Sequence, residues 1–245
     1  MIDAPRSYRI LVVDDSPIIL HVVQTALEEA GFEIVTAASG ERALEHIERF
    51  GLPHLAIVDI NMPPGMDGFE FCEAVHTYSD LPIIMLTAVD EEQTIVQAIE
   101  QYAEDYITKP FNVSELVARV RRVLRRLGDF AYTLESVTRV DDRLQVDFPG
   151  KKIILDSEPI TLTPTEAKLL YILMRNAGRT VTSEFILQRL WPLEVAQEDR
   201  LRVYVHRLRR KLESKKNSAR YVVSKRGVGY SFVGGARAVG KRPSK

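Results

Sequence analysis

The sequence predicts two domains: an α/β domain built on a doubly wound, five-stranded parallel sheet, then a smaller α+β domain. Three observations lead there. Short apolar runs alternate with helically periodic stretches through the first half. That alternation stops after Leu127-Gly128, where short strand patterns, three helical patterns and a terminal hairpin signal follow. The charge also changes sign. Residues 1–128 hold 10 Lys and Arg against 21 Asp and Glu, a net of −11, whereas residues 129–245 hold 23 against 13, a net of +10.

The first-half strands are expected at Ile10–Val13, Ile34–Ala37, Leu55–Val58, Ile83–Leu86 and Tyr106–Ile107. Their mostly apolar character suits buried strands. The helix between the first two shows Ile19, Val22, Val23, Ala26 and Leu27 at helical spacing, behind a Ser16-Pro17 start signal. Asn112 and Glu115 stand at capping-box spacing ahead of Leu116, Val117 and Val120. Beyond the boundary, strands are expected at Leu144–Phe148 and Lys151–Leu155, joined by Pro149-Gly150. Thr163-Pro164-Thr165-Glu166 opens a helix, and further helices are expected over Glu184–Leu190 and Asp199–Leu212. Tyr221–Val233 reads as a hairpin around Arg226-Gly227-Val228-Gly229. The expected organisation is a domain over 1–127, a linker and first strands over 128–142, a second domain over 143–233 and a disordered basic tail over 234–245.

Composition narrows the function. With 45% hydrophobic and 27% charged residues, the chain can build real cores. The longest mostly apolar stretch, Leu81–Val89, is far short of a membrane span and contains Pro82. MIDAPRSYRI shows no basic segment leading into an apolar run, and Cys72 has no second cysteine to pair with. A cytoplasmic, reducing location is expected. The opposite charges of the halves suit different partners, with a polyanion for the basic one; two merely solvated surfaces are the alternative.

In an open parallel sheet, chemistry collects beyond the carboxyl ends of the strands. Asp14 and Asp15 follow the first strand, Asp59 ends the third, Thr87 ends the fourth and Lys109 follows the fifth. Three neighbouring carboxylates repel one another unless a cation lies between them, and hard oxygen ligands suit Mg²⁺. An added lysine and hydroxyl make a site for a phosphoryl group, with a carboxylate as nucleophile.

The elements VVDD (12–15), IVDINMPPGMDGFE (57–70), LTA (86–88) and DYITKPF (105–111) together resemble the receiver domain of response regulators, over residues 7–127. The resemblance implies a sheet of strand order 2-1-3-4-5, with Asp59 as phosphoacceptor and a histidine kinase as donor. It implies a Mg²⁺ site made of Asp14 (through water), Asp15, Asp59 and the backbone carbonyl of Asn61. Lys109 and Thr87 would bind the phosphoryl group, and Tyr106 would be the aromatic that turns inward; an ordinary strand tyrosine is the other reading. The resemblance also implies a homodimer when phosphorylated, through the receiver's last strand and the helices flanking it, with Glu104, Asp105, Arg119 and Arg122 available for pairing. Only slow self-dephosphorylation is expected, not enzymatic turnover. A haloacid-dehalogenase-like phosphatase also uses an aspartyl nucleophile, but its second Asp is Asn61 here. Three departures stand out. MPPGMDG (62–68) is one residue longer than usual, Tyr102 replaces a common glycine, and Ile95 and Gln101 replace a basic and an acidic residue used in dimer pairing.

In RLRVYVHRLRRKLE (200–213), Leu201, Val205, Leu208 and Leu212 form one apolar stripe. Val203, His206, Arg207 and Arg210 lie opposite, with Arg200 toward one flank and Arg202 and Arg209 toward the other. Such a face suits a major groove, where arginine pairs with guanine and valine meets a thymine methyl. A solvated or protein-docking basic helix is the alternative. LTPTEAKLLYIL (162–173), RTVTSEFILQRLW (179–191), the basic helix and YVVSKRGVGYSF (221–232) together resemble the winged-helix domain of the OmpR/PhoB family. That resemblance implies binding of double-stranded DNA through the basic helix, where the candidate contacts are Arg200, Val203, Tyr204, His206, Arg207, Arg209 and Arg210. Arg200 and Arg202 depart from the small polar and acidic residues common there, so the base preference is this chain's own. Arg226 sits at the wing tip, in the minor groove or on a phosphate. Loop 191–198 matches a segment able to touch RNA polymerase, although Trp191 itself reads better as a core anchor.

The expected whole is a phosphorylation-dependent transcriptional regulator. Its rivals are a phosphorylation-independent regulator with a structural receiver and an adaptor whose basic half binds an acidic protein.

Overall fold

The computed structural model describes residues 8–88, 102–127, 137–192, 194, 197–213 and 221–234. The expectations for Ile95, Gln101, most of the linker, part of loop 191–198 and the tail beyond Gly234 fall outside these residues. The chain divides into two compact units, residues 1–77 with 81–129 and residues 130–245 with 78–80. Among the described residues no helix is long and apolar enough to cross a membrane.

The first unit is a parallel sheet of β1 (Arg9–Val13), β2 (Glu33–Ala37), β3 (Leu55–Asp59), β4 (Ile83–Ala88) and β5 (Asp105–Lys109) in the order β2-β1-β3-β4-β5. Around it lie helices α1 (Pro17–Glu29), α2 (Gly40–Phe50), α3 (Gly68–His76) and α4 (Val113–Leu127). Ile10 to Val13 and Leu55 to Val58 are fully buried, which is why these central strands read as continuous apolar runs. The edge strand β2 is covered only in part. Each strand predicted for this unit forms, longer by one to three residues, because backbone pairing extends past the apolar core into Arg9, Glu33, Asp105 and Lys109, whereas the two predicted at Leu144–Phe148 and Lys151–Leu155 each form one residue shorter.

Ser16 caps α1 ahead of Pro17 as expected. Helix α1 nevertheless buries Val23 and Leu27 while leaving Val22 exposed, so its apolar spacing overstates its buried face. At α4 the capping-box spacing does not produce a capping box. The Asn112 carboxamide accepts from Ser114 N at 2.8 Å, and Glu115 is taken by Arg119 instead of reaching back. The reciprocal cap forms at α3, where Asp67 and Glu70 exchange side-chain and backbone bonds.

That cap completes a loop that follows the phosphoacceptor candidate closely. Gly68 N donates to Ile60 O at 3.0 Å, and a Cβ on Gly68 would stand 2.2 Å from Asp59 O. Met66 N donates to Glu41 Oε1 at 2.7 Å, tying the extended 62–68 loop to the start of α2.

The second unit opens with an antiparallel sheet of β6 (Thr138–Arg139), β7 (Leu144–Asp147), β8 (Lys152–Leu155) and β9 (Glu158–Thr161) in sequence order. Helices α5 (Pro164–Arg175), α6 (Ser183–Leu190) and α7 (Glu198–Leu212) follow. A second sheet joins β10 (Val181–Thr182) to the hairpin of β11 (Val222–Lys225) and β12 (Gly229–Phe232), in the order β10-β12-β11. The Thr163–Glu166 capping box opens α5 as the sequence indicates. The buried Glu166 carboxylate also accepts from Lys211 Nζ at 2.6 Å, bracing α7 against α5.

Two predictions arise. Gly68→Ala should lower the stability of the first unit by about 2 kcal/mol, read by urea unfolding, because the new methyl meets backbone that cannot move freely. Burial works against the charge of Glu166, but Lys211 and the Thr163 amide outweigh it and hold its pKa below 4.5. The stabilisation this contributes is complete above that ordinary value and is lost as pH falls through the lowered one. Lys211→Met should therefore destabilise the second unit at neutral pH, with the deficit shrinking as thermal melts move into acid.

Candidate functional site

The sheet order brings the carboxyl ends of β1, β3, β4 and β5 to one edge, and each delivers a reactive side chain there. Asp14 directly follows β1, its amide donating to Ala37 O at 3.2 Å. Asp59 is the last residue of β3 and pairs in register with Leu86, the residue before Thr87. Lys109 ends β5 opposite Ala88. Asp14, Asp59 and Thr87 are buried, whereas Asp15 and Asn61 are exposed.

The Lys109 ammonium lies 2.7 Å from Asp14 Oδ2 and 2.8 Å from Asp59 Oδ2. Burial pushes the pKa of Asp59 above its ordinary value, and Asp14 and Asp15 add to that, against the opposing pull of Lys109. Burial disfavours the charge on Lys109, but its bonds to Asp14 and Asp59 prevail and raise its pKa. Asp14, Asp15 and Asp59 each offer a carboxylate oxygen within 4.8 Å of the others. Three carboxylates against one ammonium leave two negative charges when all are ionised. An oxygen-only donor set with that residual charge fits a divalent hard cation such as Mg²⁺.

Tyr106, next to the site on β5, is 37% exposed. Asp105 is buried and held by two arginines of α4: Arg119 Nη1 at 2.9 Å and Arg122 Nη2 at 2.5 Å. Arg119 also bonds Glu115 Oε1 at 2.9 Å through Nε. The cationic candidates for pairing between copies are thus engaged within one chain. Glu104 donates its amide to Ile83 O at 2.8 Å, tying the start of β5 to β4.

In the second unit, α7 buries Leu201, Val205, Leu208 and Leu212, the stripe read from the sequence. Val203, His206, Arg207 and Arg210 are exposed on the outer face. Val203 has 47% of its surface open, among cations. The flanking candidates are placed differently. Arg200 lies over the Trp191 ring at 4.2 Å and pairs with Glu194. Half-buried Tyr204 packs against Trp191, with ring centroids 5.4 Å apart, and Arg207 lies 5.5 Å above the Tyr204 ring. Trp191 is a buried anchor. Arg209 turns onto the hairpin, donating to Val222 O at 2.9 Å and to Ser224 Oγ at 2.8 Å. Arg226 stands exposed in the turn between β11 and β12.

Sequence reasoning missed Glu41, which anchors the loop after Asp59 from 25 residues away in sequence. No local pattern announces such a contact.

The paired charges generate a stability prediction. Lys109→Met should destabilise the first unit by about 3 kcal/mol, because two buried carboxylates then lack their counter-charge. Adding Asp59→Asn should return much of that loss in chemical unfolding, since it removes one of the two charges.

Comparison with known proteins agrees with this division. The family model described as response regulator receiver domain matches residues 10–121. The model described as transcriptional regulatory protein, C terminal, matches residues 157–232. The chain is similar to the transcriptional regulatory protein KdpE of Mycobacterium tuberculosis, with 35% identity over 224 residues, 91% of this chain and 98% of that protein. It is also similar to the DNA-binding response regulator MtrA of Mycolicibacterium smegmatis, with 37% identity over 223 residues, 91% and 95% of the two chains. Among solved structures, response regulator DrrB of Thermotoga maritima, an OmpR/PhoB homolog, matches at 30% identity over 94% of this chain and all of that one, with a TM-score of 0.45. An acidic site at the carboxyl edge of a 2-1-3-4-5 sheet, followed by a helix–hairpin unit with a basic face, places this chain in the OmpR/PhoB-type family of two-component response regulators.

Proposed function

We propose that this chain is a phosphorylation-dependent, DNA-binding transcriptional regulator whose phosphoacceptor is Asp59. The observation that carries the reading is the convergence of Asp14, Asp15, Asp59 and Lys109 at one sheet edge, with Lys109 bonded to two of the carboxylates.

A sensor histidine kinase supplies the phosphoryl group. The Asp59 carboxylate oxygen forms the bond to phosphorus as the bond to the kinase's histidine nitrogen breaks. Asp14, Asp15, Asp59 and the Asn61 backbone carbonyl would hold Mg²⁺, which when bound neutralises phosphoryl oxygens. Lys109 already reaches Asp59 and is placed to exchange one carboxylate contact for a phosphoryl oxygen. Thr87, buried at the end of β4, supplies a hydroxyl on the same edge, and Tyr106 turns in from its exposed position as that hydroxyl is drawn to the phosphoryl group.

Movement at Thr87 and Tyr106 reaches Asp105, the neighbour whose carboxylate holds Arg119 and Arg122. Release of those pairs would free charges for a homodimer through the last strand and its flanking helices. A dimer sets two basic helices on adjacent half-sites of double-stranded DNA, and the second contact becomes effectively intramolecular. Val203, His206, Arg207 and Arg210 face the major groove, Arg226 contacts DNA from the hairpin, and loop 191–198 is available to RNA polymerase.

Sedimentation of wild type and Asp59→Ala, with and without acetyl phosphate and Mg²⁺, tests this reading. A shift from monomer to dimer is expected in phosphorylated wild type alone. Absence of phosphate incorporation from any donor would overturn the phosphorelay. On DNA, log affinity should fall steeply with log salt, since several arginines replace counterions.

A further inference from the structure

Arg209 sits on the basic helix and its charge invites assignment to a DNA phosphate, but its guanidinium is occupied elsewhere. Nε donates to the Val222 carbonyl at 2.9 Å and Nη2 to Ser224 Oγ at 2.8 Å. The group also lies 5.9 Å from the Tyr230 ring centroid. Val222 and Ser224 belong to β11 and Tyr230 to β12, so one side chain touches both strands of the hairpin. β11 is the edge strand of the β10-β12-β11 sheet, and edge carbonyls lack strand partners on their outer side. Arg209 supplies one such carbonyl with a charged donor.

The hairpin has a second tether at the far side of its sheet. β12 pairs with β10 through Val181↔Tyr230 and Thr182↔Gly229, and Ser183 N donates to Val228 O at 3.1 Å. A Cβ on Gly229 would stand 1.9 Å from Val181 O, so the two strands approach closely there. That tether joins the hairpin to the start of α6. Arg209 joins it to α7, one residue before the exposed Arg210.

We propose that Arg209 is a positioning residue. It sets the distance between the outer face of α7 and the hairpin turn carrying Arg226, so that both meet one DNA duplex together. The inference rests on the DNA-binding reading and deepens it. The planar fork of arginine satisfies a carbonyl and a hydroxyl at once, whereas a lysine point charge cannot reproduce both bonds in that geometry. With the link intact, the Arg226 contact follows the α7 contact at high effective concentration; without it, that advantage falls.

The experiment is anisotropy titration of the full-length chain, phosphorylated with acetyl phosphate and Mg²⁺, on a duplex selected from a randomised pool by phosphorylated wild type, at several salt concentrations. The variants are Arg209→Gln, Arg209→Lys, Ser224→Ala, Arg226→Ala and each of the first three combined with Arg226→Ala. Arg209→Gln should weaken binding about tenfold while leaving the slope of log affinity against log salt at the wild-type value. Arg209→Lys should not restore affinity. Arg226→Ala should cost clearly less in the Arg209→Gln background than alone. Ser224→Ala, which removes one bond without touching charge or helix, should show the same coupling to Arg226 more weakly. Two results would overturn the proposal: rescue by Arg209→Lys with a salt slope reduced by about 0.9 in Arg209→Gln, as a lost phosphate contact requires, or losses that add independently to those of Arg226→Ala. Failure of wild type to select or bind any duplex would instead overturn the DNA-binding reading itself.

Discussion

The Lys109 ammonium lets Asp14 and Asp59 be buried within reach of each other, and the receiver's chemistry is arranged around that arrangement. A buried carboxylate is costly to desolvate, and two of them beside an exposed third repel as well. Lys109 meets part of that cost from a strand two places away from β3 in the sheet. The sheet order is what makes this possible, since it places the ends of β1, β3 and β5 along one edge. The residual negative charge explains why the site suits a small divalent cation, and that cation together with Lys109 would offset the repulsion an incoming phosphoryl group meets there.

Around this charge cluster the backbone has little freedom. Gly68 passes so close to Asp59 O that a methyl group has no room, and Glu41 ties the lengthened loop to α2 through Met66. Both hold the Asp59 peptide in place. On the other side of the site, Asp105 collects Arg119 and Arg122 from α4. Buried charge and surface charge are thus connected along one strand, β5, through Tyr106 to Lys109. A change of charge at Asp59 would have a short physical route to the Asp105, Arg119 and Arg122 cluster.

The second unit solves a different problem: presenting cations without letting them drift. Its basic helix is held from beneath by four apolar side chains, at its last turn by the Lys211–Glu166 bridge, and laterally by Arg209 on the hairpin. Arg200 is likewise steadied by Trp191 and Glu194. The arginines of one helix therefore divide into those that hold the framework and those that face outward.

The pattern of residues alone laid out most of the elements and marked which candidate residues would stand at the strand ends. Strands β1 and β3 announced themselves because burial on both faces permits only apolar side chains, and the α7 stripe did so because a helix returns to its buried face every three to four residues. The receiver residues were legible because each lies at the end of an apolar strand run. Tertiary structure alone decided how the charges were shared. Asp105 pairs with arginines 14 and 17 positions away, Glu41 with a loop 25 away, and Arg209 with a strand 13 to 15 away. Glu115, expected to close a cap, is drawn to Arg119 instead. Hydrophobic burial repeats with the period of the backbone and so leaves a local trace, whereas an ion pair depends on where two distant side chains happen to meet.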